Sequence, residues 1–154
     1  MTTTAARPAE APYVSAELYA EVQAFYARQM SLLDGSDIDP VAWSQTFTED
    51  AVFGTNMQEE PDVGRAAILE SLNGGLKHIH GQGPVDFRHW FGMVDVQEQP
   101  DGSLHTRYYA LAMATPQGGS LKIRGHMLCR DELVRRDGRW LVSRRHLEAD
   151  GLPA

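Results

Sequence analysis

Three tight-turn signals cut the C-terminal half of the chain into four strand-length pieces, and this limits the possible folds more than any other feature. Pro100-Asp101-Gly102, Pro116-Gln117-Gly118-Gly119 and Asp137-Gly138 pair a turn-forming residue with a glycine that accepts positive φ. The pieces between them, 85–98, 104–115, 120–135 and 139–148, are rich in Val, Leu, Phe, Tyr, Trp and Met. Turns this short leave their flanking strands antiparallel. The third piece is long for one regular strand and is expected to be bulged or bent. Long strands twist, so the sheet is expected to curl.

The N-terminal half has a helical period. Ser15 is a plausible N-cap with Glu17 in the first turn. Leu18, Val22, Phe25, Gln29 and Leu33 then recur at helical spacing, flanked by Tyr19, Tyr26 and Met30. Gly35 marks the stop. Asp39-Pro40 reads as a cap and first-turn proline opening a short helix through Trp43 to about Phe47. A short strand is expected over 48–54. Asp62 is a candidate cap for a third helix over 64–72, ended by Gly74-Gly75.

Helices followed by a meander argue an α+β domain. The first helix must bury its wide apolar face, and the concave side of the curled sheet is the available surface. A cone-like cavity between the two is expected. The chain of 154 residues fits one domain, placed over 13–150, behind a Thr-, Ala- and Pro-rich tail over 1–12 that is expected to be disordered. The net charge of −7 argues against nucleic acid and anionic membrane surfaces. A single cysteine, Cys129, allows no internal disulfide and no cysteine-based zinc site. The N-terminus carries no apolar secretory core and no run reaches the length of a membrane span, so the expected location is the cytoplasm. No glycine-rich phosphate loop follows a strand, so no cofactor is expected.

One ionisable group sits among apolar neighbours in the first strand of the meander. Strict alternation places Phe87, His89, Phe91 and Met93 on one face and Arg88, Trp90, Gly92 and Val94 on the other. His89 is then either a hydrogen-bonded core histidine or the base of an apolar pocket.

The order of elements, with LLDGSD…W…FTEDAVF (32–53), GRAAI (64–68) and LVRRDGRWLVSRR (133–145), resembles the SnoaL-like, nuclear-transport-factor-2-like superfamily over about residues 14–148. That resemblance implies a cone-like sheet, antiparallel or mixed, wrapped on a long helix with two shorter ones. It also implies a homodimer through the sheet. The superfamily includes dehydratases, polyketide cyclases, isomerases, epoxide hydrolases and dioxygenase small subunits, so the fold does not fix the chemistry. Two of its members, scytalone dehydratase and the hexachlorocyclohexane dehydrochlorinase, use an Asp–His pair. The matching positions here are Asp34 and His89.

On that resemblance His89 is the expected base and Asp34 the residue that fixes its tautomer. The expected reaction is dehydration, cyclisation or isomerisation of a hydrophobic, polyketide-like or cyclic small molecule. Candidate substrate contacts are Tyr26, Trp43, Phe91, Tyr109, Met113 and His126. Tyr26, Tyr109 and His126 are also the candidates to hold or protonate a leaving oxygen, although hydrogen-bonded core aromatics look the same in a sequence. His78-x-His80 could chelate a metal if extended, but it lies in a connector over 76–84 better read as a loop or lid. Arg144-Arg145 reads as a solvated strand face. The rival readings are an epoxide hydrolase, for which no Asp–Arg–Asp set is evident, and a non-catalytic partner or binding subunit.

Overall fold

The computed structural model describes residues 12–152. All but Pro12 of the expected tail lies outside them. The elements in chain order are α1 (Ala16–Ser31), α2 (Pro40–Ser44), β1 (Phe47–Thr55), β2 (Asp62–Val63), α3 (Arg65–His80), β3 (Val85–Glu98), β4 (Leu104–Pro116), β5 (Lys122–Arg136) and β6 (Arg139–Ala149). The six strands form one sheet in the order β2-β1-β6-β5-β4-β3. Strands β3 to β6 are the expected antiparallel meander, and β1 joins β6 in parallel. The fold is an α+β cone with a mixed, open sheet.

Local chemistry explains most element ends. Ser15 Oγ accepts the Leu18 N–H at 3.1 Å, and Asp39 Oδ1 accepts the Ala42 N–H at 2.9 Å, so both helices start at side-chain caps. Asp137 and Gly138 both take positive φ, 50° and 74°, the geometry of a two-residue hairpin turn whose twist matches the flanking strands.

The third helix departs from expectation. It runs through Gly74-Gly75 to His80 and matches α1 in length, 16 residues each. Each helical glycine costs about 1 kcal/mol against alanine, and the apolar stripe Ile68, Leu72, Leu76, Ile79 continues across both. Asp62 does not cap this helix. It lies in β2 opposite Phe53, and Gly64, with φ +88°, precedes the helix instead. The 76–84 connector is thus mostly helix rather than a loop. His78 and His80, two positions apart on it, face different directions, which removes the extended chelate geometry.

Bulges decide which side chains enter the core. Between the pairs Gly92↔Tyr109 and Asp95↔Arg107, β3 holds two residues against one. Met93 takes φ 53° there and is 79% exposed, and beyond it Val94 and Val96 are buried. The expected inward position of Met93 and outward position of Val94 are therefore both reversed. In β5, Arg124 is the extra residue between the pairs Ala112↔Gly125 and Met113↔Ile123, as expected for that long strand. In β6, Ser143 is the extra residue between the partners of Leu133 and Glu132, so Val142 and Arg145 both point inward.

The core lies between α1, α2 and the concave face. Val22, Phe47, Leu104, Tyr108, Cys129, Leu133 and Val142 are essentially fully buried in it. Phe47 packs its ring 4.7 Å from that of Trp43. Phe47→Ala is expected to cost about 3–5 kcal/mol, read as a lowered urea midpoint with an unchanged slope.

Candidate active site

Asp34 and His89 are 55 residues apart in sequence and meet at the end of α1. Asp34 sits in the turn after the helix, its N–H donating to Met30 O at 3.1 Å, and Gly35 beside it takes φ +89°. The Asp34 carboxylate is held twice. The His89 backbone N–H donates to Oδ2 at 3.0 Å, and His89 Nδ1 meets Oδ1 at 2.7 Å. An ionised carboxylate only accepts, so Nδ1 carries the proton and the neutral ring keeps its lone pair on Nε2. Among the described residues, Nε2 has no protein partner. The Phe87 ring lies edge-on to the imidazole with centroids 5.1 Å apart, fixing the ring plane.

His89 lines a cavity of about 300 Å³ between the helices and the concave face of the sheet. Met30, Leu33, Trp43, Phe53, Ile68, Leu72, Phe91 and Met127 supply its apolar walls. His89, Arg145, Asp62 and Gln58 are the chief polar groups among its lining residues. A cavity of this size, mostly apolar with few polar groups, suits a small ring system.

Beneath the cavity lies a buried polar cluster. Arg145 donates Nε to Asp131 Oδ1 at 2.9 Å and Nη2 to Asp131 Oδ2 at 2.7 Å, a two-point clamp, and Nη2 also reaches Gln29 Oε1 at 2.8 Å. Tyr26 and Tyr108 donate their hydroxyls to Asp131 Oδ2 at 3.0 and 3.1 Å, and Tyr26 also meets Thr106 Oγ1 at 2.5 Å. Arg145 and Asp131 side chains are only 3% and 0% exposed. Burial by itself would push the guanidinium pKa down, but Asp131 and the neighbouring hydroxyls outweigh it and hold the pKa above the ordinary arginine value. Burial raises the Tyr26 and Tyr108 hydroxyls well above the usual tyrosine range and pushes the Cys129 thiol up to about 12.

The expected site residues therefore divide. Trp43, Phe91 and His89 line the cavity, with Asp34 behind His89. Tyr26 does not reach it, because its hydroxyl is enclosed by Thr106 and Asp131. Tyr109 stands on the outer face under the Arg107 guanidinium, 5.1 Å from its ring centre. The inward residues of β4 are Leu104, Thr106, Tyr108, Ala110 and Ala114, so the odd-numbered Tyr109 and Met113 point away. His126 is also outward, its Nδ1 paired with Asp150 Oδ2 at 2.7 Å and its side chain 57% exposed. Met127 and Cys129 take the inward places on β5. Arg145, expected on a solvated face, is buried in the polar cluster. Its signal was present, since it lies between Val142 and Leu147, but the bulge at Ser143 that turns it inward has no sequence mark. Asp62 also entered the cavity unforeseen.

A helix-capped cone enclosing an apolar cavity is the nuclear-transport-factor-2-like architecture. The SnoaL-like domain family matches residues 14–146, and the chain belongs to it. Aln2 from a Streptomyces species is 34% identical with a TM-score of 0.82, over 90% of this chain and 95% of that one. A protein from Catenulispora acidiphila, in complex with S-DNPA, is 38% identical with a TM-score of 0.73, over 88% and 96%. ActVI-ORFA from Streptomyces coelicolor is 32% identical with a TM-score of 0.75, over 88% and 99%. Comparison with curated protein sequences gives no match. No helix among the described residues is long and apolar enough to cross a membrane.

The raised thiol and hydroxyl values give stability a direction with pH. A group whose folded value is raised contributes stability that is present below its ordinary value and lost as pH climbs through the folded one. For Cys129 that window runs from 9.0 to about 12. Urea-unfolding free energy is expected to fall across it, and Cys129→Ala to make the fall shallower. Asp131→Asn, which strands a buried guanidinium, is expected to cost about 3–5 kcal/mol at neutral pH in the same assay.

Proposed function

We propose that this protein is a small cofactor-independent enzyme that performs acid–base chemistry on a hydrophobic, cyclic, polyketide-like small molecule. His89 Nε2 removes a proton from the substrate. Asp34 holds Nδ1–H, fixes the tautomer and stabilises the imidazolium that forms. The outcome is dehydration, cyclisation or isomerisation, according to where the proton returns. The observation that carries this reading is the two-point Asp34–His89 contact beside a mostly apolar cavity, where few waters compete for the base. The relative observed with S-DNPA supports a small-molecule ligand.

Two rivals are less well supported. An epoxide hydrolase of this fold needs two carboxylates and an arginine around a water, and Asp131, the aspartate beside Arg145, has both oxygens occupied and its side chain sealed, which leaves Asp62 as the one carboxylate among the described lining residues. A non-catalytic partner subunit needs no open cavity of this size beside an oriented histidine, and a small-molecule-binding subunit is separated from an enzyme by turnover in the test below.

Substrates for the test are bicyclic hydroxy-ketones, assayed for loss of water and for exchange of the acidic C–H in deuterated buffer. His89→Gln is expected to abolish both with the melting temperature nearly unchanged. Asp34→Asn is expected to lower kcat about 10²–10⁴-fold. Full turnover in His89→Gln would sink the assignment, and a large loss of stability there would mark the histidine as structural.

We further propose a homodimer through the outer sheet face, on which Trp90 (65% exposed), Tyr109 and Ile123 leave apolar surface facing outward. Cross-strand pairs Trp90↔Leu111 and Met113↔Ile123 extend that surface over three strands. Light scattering is expected to give twice the chain mass, and Trp90→Asp to give the monomer. A monomeric wild type at micromolar concentration would refute it.

A further inference from the structure

We propose that Arg145 Nη1 is the docking point for a carbonyl oxygen, so that the cavity selects cyclic ketones or enones whose acidic C–H lies next to that carbonyl. This rests on the acid–base reading of His89 and names the substrate class for the same site.

The argument is a count of donors. A guanidinium offers five N–H bonds. In Arg145 the single Nε–H goes to Asp131 Oδ1, and the two on Nη2 go to Asp131 Oδ2 and Gln29 Oε1. The two on Nη1 have no acceptor among the described residues. Leaving such donors unpaired in a sealed interior is costly. Nη1, however, is not among the sealed, unpartnered side-chain atoms, which are Trp43 Nε1 and Thr48 Oγ1. It therefore opens onto free space, although the residue as a whole is only 3% exposed. The side chain points toward Asp131, Gln29, Phe47 and Phe91 on the concave face. Arg145 lines the His89 cavity there and also a smaller pocket that shares Thr55 and Gln58 with it, and Nη1 is assigned to the cavity side.

Position and charge fit an oxyanion. Arg145 Cζ lies 6.0 Å from the Phe91 ring centre, and Phe91 is two residues from His89 on the same face of β3. Two residues along a strand span about 7 Å, the width of a fused ring. A ring system packed on Phe91 thus presents one edge to Nε2 of His89 and another to Arg145. Asp131 neutralises the guanidinium from behind, and the positive end of the pair faces the cavity without rearrangement.

The step then balances. The C–H bond breaks, its proton moves to His89 Nε2 and its electron pair shifts onto the carbonyl oxygen, which becomes an enolate held by Nη1. In a dehydration the carbonyl re-forms as the C–O bond on the next carbon breaks, and the departing hydroxide takes the imidazolium proton to leave as water. In an isomerisation that proton returns to another carbon.

The test uses 2-naphthol, whose anion imitates a planar enolate and absorbs differently from the neutral form. At about pH 7 a free phenol is neutral. Wild type and His89→Gln are both expected to lower the bound hydroxyl's titration by one to two pH units, about a ten- to hundredfold preference for the anion, read from bound-state absorbance as pH is raised. The charge-neutral pair Asp131→Asn with Arg145→Gln is expected to lose that preference. A bound hydroxyl in His89→Gln that titrates at the same pH as in free solution, or no binding, overturns the inference and leaves the acid–base reading intact. Retained turnover in His89→Gln defeats that reading and not this one. Should the double variant fail to fold, the carbonyl-carbon NMR resonance of α-tetralone bound to His89→Gln decides. A downfield shift from its position in water supports the docking point, and an upfield shift overturns it.

Discussion

The structure hangs on one buried ion pair. Asp131 and Arg145 come from neighbouring strands, and around them close Tyr26 and Gln29 from α1 and Tyr108 from β4. Gln29 passes the network on through Thr46 Oγ1 at 2.6 Å to the segment entering β1. Both carboxylate oxygens of Asp131 are bonded, which is the condition under which a carboxylate survives in a dry interior. The pair adds little to stability compared with an apolar replacement. Its consequence is geometric, because it sets how the long helix lies across the sheet. The position of that helix in turn fixes where its C-terminal turn, and hence Asp34, meets β3.

The site grows out of this arrangement. The turn after α1 delivers a carboxylate, β3 delivers the imidazole, and the cone supplies an apolar space that neither element could enclose alone. The cavity exists because small residues, Ala110 and Ala112, occupy the inward places on β4 opposite Phe91 and His89. Larger side chains there would fill it. The fold thus couples a fully bonded polar floor to an open apolar chamber, an arrangement that keeps Asp34 and His89 in place without a bound ligand.

Much of this was legible in the chain. The four meander strands, the two capped helices and the turns at Asp101-Gly102 and Asp137-Gly138 follow from residue types and spacing. The pairing of Asp34 with His89 was legible by resemblance alone, since nothing local links residues 55 positions apart. Tyr109, Met113 and His126 were misplaced for a shared reason. Their strands alternate, and a sequence does not say which of the two faces is concave. Met93, Val94 and Arg145 were misplaced because bulges at Met93 and Ser143 shift the alternation by one residue. Gly92 stands beside the first bulge, whereas the second has no glycine or proline to announce it.

The sequence by itself determined the elements, their order and the chemistry available at Asp34 and His89, because caps, turns and hydrophobic period act over a few residues. Only the tertiary structure decided which face became the cavity and that β1 runs parallel beside β6. It also carried α3 across two glycines and brought Arg145 inside with one nitrogen unbonded among the described residues. Those outcomes depend on register and on packing between distant strands. A single extra residue in one strand turns the side chains beyond it to the opposite face.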